Sequence, residues 1–322
     1  MTAGRRSPGE PARTVFLGSG AFAVPILDAL AAAPEIRLVG VVSAPDRASG
    51  RRAELTPVPV ARRARELALP LLQPDRLRVA DAVAALASFG PDLGVLADYG
   101  QIVPPSVLAI PGHGFLNVHP SALPRHRGAS PIPATITSGD RIAAVTLIRM
   151  DEGMDTGPIV AQESWALDGT ETAQTLEAEA ARRGAAQLRR ALGAWLAGEI
   201  EPTPQDHAAA TLTRLLGRED GRLDPTLSAG QLERHVRAHL PWPGSFMDTA
   251  HGRLIVHAAA VIAGEPGDRP GWLVADEDGL ALTTSSGRLR LVRAQLAGRR
   301  VTDAASLRRG APGLVGLAVE LR

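Results

Sequence analysis

The residues best placed to do chemistry follow an apolar pair in the middle of the chain. Asn117 and His119 come directly after this pair, so both polar side chains are predicted to leave the end of a buried strand together. Open α/β sheets place their ligand sites at such strand ends. Asp155 follows 36 residues after His119, beyond a second apolar run. An amide, an imidazole and a carboxylate in one cleft suit acyl-type transfer chemistry.

The alternative for these residues is a hydrogen-bonded group of polar side chains at strand ends. Two features favour function: Pro120 and Pro124 stiffen the loop, and Gly128 supplies a turn where backbone could approach a ligand. No metal is expected, because one imidazole, one amide and one carboxylate are a poor ligand set. His113 and His126 in the flanking loops nevertheless leave a metal site open at this stage.

The composition limits the class of protein. With 322 residues, 45% hydrophobic and 21% charged, the chain is predicted to be globular with two domains. It has no Cys and no Lys, which excludes disulfides, thiolate chemistry and a Schiff-base or P-loop lysine. No run approaches the roughly 18 apolar residues of a membrane span. Residues 1–13 have the composition of a disordered tail rather than a signal peptide, so we expect a cytoplasmic enzyme.

Short apolar runs alternate with helical patterns in the first part of the chain. This alternation predicts an α/β fold, a Rossmann-like domain with a mainly parallel sheet, over residues 14–198. Two prolines predict an extended linker over residues 199–213. Across residues 214–322, a helix that Ser228 can cap precedes short apolar runs separated by Gly and Asp. That pattern is typical of a smaller OB-like β-barrel domain.

A glycine turn and a basic loop follow the first two predicted strands. Residues 18–23 fit the G-x-G-x-x-G/A pattern of dinucleotide-binding folds, but Asp46 comes too late to be the acid that binds ribose. The same residues also fit a tight strand-to-helix turn. The next loop carries Arg47, Arg51 and Arg52, which could meet phosphates or be solvated. The C-terminal part has a slight basic bias, which permits a polyanionic partner without requiring one.

These residues resemble the folate-dependent formyltransferases, whose motif is Asn-x-His-x-Ser-Leu-Leu-Pro with a later Asp-x-Gly-x-Asp-x-Gly. Here the two motifs occupy residues 117–124 and 151–157. Further segments are similar to the branch of the family that acts on initiator tRNA, and the similarity covers nearly the whole chain beyond the tail. These segments are residues 16–18 with 22–25, 45–47 with 50–51, 99–104, 127–132, 228–234 and 241–243.

The resemblance implies formyl transfer from 10-formyltetrahydrofolate to the α-amine of methionyl initiator tRNA. It implies that Asn117 stabilises the oxyanion on the formyl oxygen and that His119 also stabilises this charge and shuttles protons. Asp155 would orient His119 or relay the proton of the amine. Thr146 matches a hydroxyl position that could hold a water. The implied folate contacts are Ser121, Ala122, Leu123, Pro124, Ala97, Tyr99, Gly100 and Ile102, and the implied tRNA contacts are Arg47, Arg51 and Arg52.

Three features depart from the family pattern. Ala122 stands where the family usually has Leu, Ser19-Gly20 replaces Thr-Pro, and the loop after Gly50 has fewer cations, which puts affinity for tRNA in question. Formyl transfer to a sugar-nucleotide amine and hydrolysis of formyl-folate would both keep the three polar residues. The remaining alternatives are a nicotinamide-dependent oxidoreductase and a catalytically silent RNA-binding protein. We expect a monomer that uses neither a metal nor a membrane.

Overall fold

The first strand shows why this chain forms a parallel sheet. In the computed structural model, which describes residues 10–49, 54–277 and 279–320, β1 (Ala12–Gly18) is buried along nearly its whole length. A continuously apolar strand suits the centre of a parallel sheet, because both faces of such a sheet are covered. The following elements up to Thr213 are α1 (Ala23–Ala31), β2 (Ile36–Val42), β3 (Arg47–Ser49), β4 (Glu54–Thr56), α2 (Pro59–Glu66), β5 (Leu71–Leu72), α3 (Ala80–Ser88), β6 (Leu93–Ala97), α4 (Pro105–Leu108), β7 (Phe115–His119), β8 (Arg127–Gly128), α5 (Pro131–Thr137), β9 (Ile142–Arg149), β10 (Ile159–Ala166), α6 (Ala173–Ala197) and β11 (Leu212–Thr213).

Seven of these strands form one sheet, in the order β10-β9-β7-β6-β1-β2-β5. β1 is parallel to β2 and β6, and β6 is parallel to β7, whereas β7 and β9 are antiparallel. The chain passes from β1 to β2 on one side and later returns to β6 on the other, so the strand order reverses between β1 and β6. Ligands of open α/β sheets bind at such a reversal, beyond the carboxyl ends of the strands.

The chain divides into two compact units. The first comprises Met1–Pro131, Ile142–Trp165 and Glu177–Thr213, and the second comprises Ile132–Arg141, Ala166–Leu176 and Arg214–Arg322. The elements after Thr213 are α7 (Ala229–Ala238), β12 (Ser245–Thr249), β13 (Gly252–Ile262), β14 (Leu273–Asp276), β15 (Gly279–Thr283), β16 (Arg288–Leu296), β17 (Thr302–Asp303) and α8 (Ala304–Gly310).

The second unit contains an antiparallel sheet in the order β12-β13-β16-β15-β14, with β17 paired to β16. Ser228 caps α7: its Oγ accepts from the Gln231 N–H at 3.3 Å, and Gln231 Oε1 accepts from the Ser228 N–H at 2.9 Å. This reciprocal pair satisfies two backbone donors that the first helical turn leaves open. Leu232 and Val236 then bury the inner face of α7 in the apolar core of the sheet.

This architecture confirms the predicted fold class, a Rossmann-like α/β sheet followed by a smaller antiparallel β domain. Residues 1–9 of the predicted tail lie outside the described residues, and β1 already begins at Ala12. The segment 199–213, predicted to be a linker, lies within the first unit. None of the helices in the described ranges has the length and apolar character needed to cross a bilayer.

Candidate active site

β7 brings the first two candidate residues together. Asn117 and His119 are two positions apart in the strand, so their side chains lie on the same face of the sheet. The two residues are only 6% and 5% exposed. In the neighbouring strands, Leu96 of β6 pairs with Asn117 and Thr146 of β9 pairs with His119. The strand therefore holds an amide and an imidazole side by side, with little access to water.

Asp155 connects three parts of this site through one carboxylate. Its Oδ1 accepts from Asn117 Nδ2 at 3.1 Å, and its Oδ2 accepts from the Gly128 N–H at 2.8 Å. The same Oδ2 lies 3.6 Å from His119 Nδ1. Gly128 has a φ of +105°, and a Cβ there would come 2.3 Å from the Thr213 carbonyl oxygen. Only glycine allows this close approach of the main chain.

The hydrogen bond of His119 Nε2 determines which of the two ring nitrogens carries the proton. Nε2 lies 3.0 Å from the carbonyl oxygen of His126, which can only accept a hydrogen bond. Nε2 therefore carries a proton, and Nδ1 of the neutral ring presents a lone pair on the side of Asp155. A proton that His119 takes up at Nδ1 faces the carboxylate directly. The geometry suits a group that accepts and returns a proton.

A buried pair that the sequence did not indicate supports the loop of Asp155. Gln205 Nε2 donates to the carbonyl oxygens of Asp155 and Gly157 at 2.8 and 2.6 Å. Gln205 Oε1 accepts from Arg127 Nη2 at 2.7 Å and from Nε at 3.1 Å. Both side chains are buried. Gln205 lies in the proline-containing segment 199–213, and nothing in its local sequence marks it as a site residue.

Thr146 supports the site through the loop after β7. Its Oγ1 donates to the Ser121 carbonyl oxygen at 2.6 Å and accepts from Gln162 Nε2 at 2.8 Å. Gln162 Nε2 also donates to the carbonyl oxygen of Leu123 at 3.0 Å. Thr146 itself is fully buried. Its hydroxyl therefore holds the loop in place.

The loop predicted to contact folate has an inner and an outer side. Ser121 Oγ donates to the carbonyl oxygen of Arg125 at 2.7 Å, and Leu123 is 3% exposed. The peptide bond between Leu123 and Pro124 is cis. Ala122 and Pro124 are half-buried and form the outer side of the loop. Contact with a ligand is thus open to Ala122 and Pro124, while Ser121 and Leu123 hold the loop in place.

The second predicted group of folate residues is also divided. Ala97 is fully buried in β6, and Tyr99 is 2% exposed in the apolar core. Burial raises the pKa of the Tyr99 phenol above its usual range, so the ring is neutral. Gly100 is exposed, and Ile102 is 89% exposed. Gly100 and Ile102 are therefore accessible to a ligand, whereas the side chains of Ala97 and Tyr99 are buried.

The basic loop lies partly outside the described residues, which exclude Arg51 and Arg52. Arg47 begins β3 and pairs with Thr56 of β4 in a short hairpin. At the base of this hairpin, Asp46 accepts hydrogen bonds from Gln73 at 2.8 Å and from Arg65 at 2.9 Å. These bonds, that of Gln73 first, hold the pKa of Asp46 below its usual range. Since Asp46 is bound within the protein, it is not placed to bind a ribose as a dinucleotide fold requires.

The described residues contain no group of three His, Asp or Glu side chains arranged to hold a metal ion. The amide and the imidazole of β7 meet a carboxylate from the loop between β9 and β10. Comparison with known proteins defines the class to which this site belongs. The formyl transferase family matches residues 12–192, and the formyl transferase C-terminal domain matches residues 215–312. The chain belongs to the formyl transferase family.

Within that family, similar curated proteins are methionyl-tRNA formyltransferases. The one from Roseiflexus sp. (strain RS-1) is 45% identical over 301 residues, which cover 93% of each chain. The one from Chloroflexus aggregans is 43% identical over 296 residues, or 91% of this chain and 96% of that protein.

Solved structures with the same fold are more distant in sequence. HypX from Aquifex aeolicus in complex with tetrahydrofolic acid has a TM-score of 0.58 and 17% identity, over 93% of this chain and 47% of that one. WlaRD, a sugar 3N-formyl transferase, has a TM-score of 0.62 and 14% identity, over 91% of this chain and all of that one. At such identities the comparison defines the fold alone.

Proposed function

We propose that this chain transfers the formyl group of 10-formyltetrahydrofolate to the α-amine of methionyl initiator tRNA and so supports translation initiation. The observation that carries the proposal is the Asp155 carboxylate, which binds Asn117 Nδ2 and the Gly128 N–H and faces His119. The similarity to methionyl-tRNA formyltransferases over nearly the full length of both chains supports the same acceptor.

Asn117 supplies the donor for the negative charge that develops on the formyl oxygen. Its Nδ2 carries two N–H bonds, of which one is directed to Asp155 Oδ1. The second N–H is available for an oxyanion. A fixed donor in a buried position stabilises such a charge far more than water does, typically by about 3 kcal/mol.

His119 and Asp155 manage the proton of the attacking amine. The amine loses a proton as it forms the new bond to the formyl carbon, and Nδ1 of His119 can accept it. The resulting imidazolium keeps its bond from Nε2 to the His126 carbonyl oxygen and gains the attraction of Asp155 Oδ2 at 3.6 Å. The proton then returns to the leaving nitrogen of the folate.

The folate co-substrate supplies the formyl group. We assign its contacts to Ala122 and Pro124 on one side and to Gly100 and Ile102 on the other. These residues fit a flat ring system, because they offer accessible apolar and main-chain surface without a charged side chain. The buried Ser121, Leu123, Ala97 and Tyr99 keep these surfaces in position.

The tRNA is assigned to the basic loop and the second unit. Arg47, Arg51 and Arg52 would contact phosphates near the acceptor end, and residues 214–322 would hold the tRNA backbone. Residues 14–198 would carry the catalytic function. We place the enzyme in the cytoplasm and expect a monomer.

The test is transfer of radiolabelled formyl from 10-formyltetrahydrofolate, with methionyl initiator tRNA, uncharged tRNA and a sugar-nucleotide amine as parallel acceptors. Label on the charged tRNA alone is the expected result. Label on the sugar amine, or release of free formate without a tRNA product, would contradict the proposed acceptor.

A further inference from the structure

A cavity lies where the strand order reverses, and Asn117, His119 and Asp155 are not among its lining residues. This switch-point cleft has a volume of about 560 Å³ and opens beyond the carboxyl ends of β1, β2 and β6. Ser19, Gly20, Pro45, Asp98 and Gly100 are among its lining residues, so the cleft adjoins the proposed folate surface at Gly100. Its position is the usual ligand position of a doubly wound sheet.

Asp98 is fixed in this cleft by its main chain. Its carbonyl oxygen accepts from the Ser19 N–H at 2.9 Å and from the Gly20 N–H at 3.4 Å. Asp98 has a φ of +44°, a conformation that residues other than Gly, Asn and Asp rarely adopt. Its side chain is exposed. Within the described ranges, no hydrogen bond or ion pair reaches its carboxylate.

Gly20 leaves the room that the Asp98 carboxylate occupies. A Cβ at position 20 would lie 1.7 Å from Asp98 Oδ2 and 2.8 Å from its Cγ. A side chain at position 20 would therefore force the Asp98 carboxylate out of its present position. Gly20 therefore serves both the turn after β1 and the placement of the Asp98 carboxylate.

The charge around Asp98 restricts the ligand. Protein atoms packed around the Asp98 carboxylate remove part of its water even though the residue is open to solvent on the cleft side. This desolvation, with the negative charge of Glu177 on α6 in second place, raises the pKa of Asp98 to about 6. The cleft also has Asp75, and none of the lining residues that the structure describes is basic. A phosphate would be repelled here, whereas a hydroxyl or an ammonium group would be attracted. A carboxylate that has no hydrogen-bonding or ionic partner and lowers the stability of the folded protein is typical of a binding or catalytic group.

We infer that Asp98 accepts a hydrogen bond from the free hydroxyl of the 3′-terminal ribose of the charged tRNA, the ribose whose other hydroxyl carries the methionyl ester. This inference rests on the proposed function and specifies how the acceptor is held. A terminal nucleoside has no phosphate on its 3′ side, so its ribose suits a cleft with acidic walls. Asp98 then positions the ester, and through it the methionyl amine, beside the catalytic residues of β7.

The sheet brings Asp98 close to the catalytic residues. β6 is hydrogen-bonded to β7, and Leu96 pairs with Asn117. Asp98 follows the end of β6, two residues beyond Leu96, and His119 ends β7, two residues beyond Asn117. Adjacent strands are about 4.8 Å apart. In an aminoacyl ester, only the carbonyl carbon and the α-carbon separate the ester oxygen from the amine. One ligand can therefore reach both Asp98 and the site of formyl transfer.

The test combines a change in the enzyme with a change in the substrate. Methionyl tRNA is charged chemically in two forms, one ending in adenosine and one ending in 2′-deoxyadenosine, and kcat/KM for formylation is measured for each. The enzymes are the unmodified protein, Asp98→Asn, Asp98→Ala and, as a control carboxylate of the same cleft, Asp75→Asn. A hydrogen bond to a charged group corresponds to roughly a tenfold to hundredfold effect.

The expected result is a non-additive cycle. The kcat/KM of the unmodified protein is at least tenfold lower on the deoxy substrate than on the ordinary substrate. Asp98→Ala lowers kcat/KM on the ordinary substrate by a similar factor. The kcat/KM of Asp98→Ala is then no lower on the deoxy substrate than on the ordinary one. Asp75→Asn keeps the same ratio of kcat/KM between the two substrates as the unmodified protein. Equal rates of the unmodified protein on both substrates would overturn the inference without requiring any variant to fold. The same ratio in Asp98→Ala as in the unmodified protein would also overturn it.

The same experiment gives a different result if the proposed function itself is wrong. In that case the unmodified protein formylates neither charged tRNA and formylates another amine instead. Formylation of ordinary methionyl tRNA, with no discrimination against the deoxy form, upholds the proposed function and rejects the role of Asp98 alone.

Discussion

His119 Nε2 donates a hydrogen bond to the main-chain carbonyl oxygen of His126 at 3.0 Å, and this contact determines which nitrogen is free for chemistry. The carbonyl oxygen cannot donate, so Nδ1 is the only ring nitrogen that can gain a proton. That nitrogen lies on the side of Asp155. The main chain of one loop thus sets the direction of proton transfer in the site.

Replacement of His119 by Ala is expected to lower kcat by about two to four orders of magnitude, because the proton acceptor at Nδ1 is lost. Circular dichroism should show an unchanged fold. His113→Ala, a histidine in the preceding loop, is the matched control and should keep nearly normal turnover. A His119→Ala enzyme with near-normal kcat would remove His119 from the mechanism.

Asp155→Asn is expected to reduce both stability and turnover. Both carboxylate oxygens accept from N–H donors, of Asn117 and of Gly128, and an amide nitrogen at either position would face a donor. One buried donor then loses its partner, which costs about 1–3 kcal/mol in the free energy of unfolding. Denaturant unfolding measures that loss, and steady-state kinetics should show at least a hundredfold drop in kcat. Unchanged stability would mean that the two hydrogen bonds contribute nothing.

Gln205→Glu tests the supporting network separately from the catalytic groups. Glutamate still accepts from Arg127, but its carboxylate would face the carbonyl oxygens of Asp155 and Gly157. We expect a loss of about 2 kcal/mol in the free energy of unfolding, together with a reduced kcat because Asp155 is displaced. A variant that is destabilised but turns over normally at low temperature would show that Gln205 has no influence on the position of Asp155.

Asp98 makes a prediction about stability and pH. Its pKa is raised from the ordinary value of 3.8 to about 6 in the folded protein. The folded state therefore holds this proton more tightly than the unfolded chain, and the associated stability is present below pH 3.8 and lost as the pH rises through about 6. Asp98→Asn should be more stable than the unmodified protein at pH 8, by about 1 kcal/mol after allowance for solvent at the carboxylate.

Denaturant midpoints at pH 4 and pH 8 check this prediction for Asp98. The advantage of Asp98→Asn should be much smaller at pH 4, where the folded state of the unmodified chain holds the proton and the unfolded state, with its pKa of 3.8, holds it in part. An advantage of the same size at both pH values would assign the effect to packing rather than to charge.

Much of the fold could be predicted because its signals are local. The run that became β7 is apolar up to the residues that carry function, and the period of two places Asn117 and His119 on one face. The N-cap at Ser228 was also predicted, and its partner Gln231 lies only three residues away.

The rest of the site depends on contacts between distant residues. Gln205 meets the main chain of Asp155 across 50 positions, and Arg127 meets Gln205 across 78. No period or motif encodes such a pairing. The mixed sequence of residues 97–102 also did not reveal that Ala97 and Tyr99 are buried while Ile102 is exposed.

The segment that follows α6 has a consequence for the timing of synthesis. Thr211 Oγ1 accepts from the His126 N–H, Thr213 Oγ1 accepts from the Ser130 N–H, and Gln205 holds the loop of Asp155. A nascent chain that has emerged from the ribosome only as far as residue 198 thus contains all three catalytic residues without these supports. The supports of the catalytic residues can therefore form only after residues 199–213 have also left the exit tunnel.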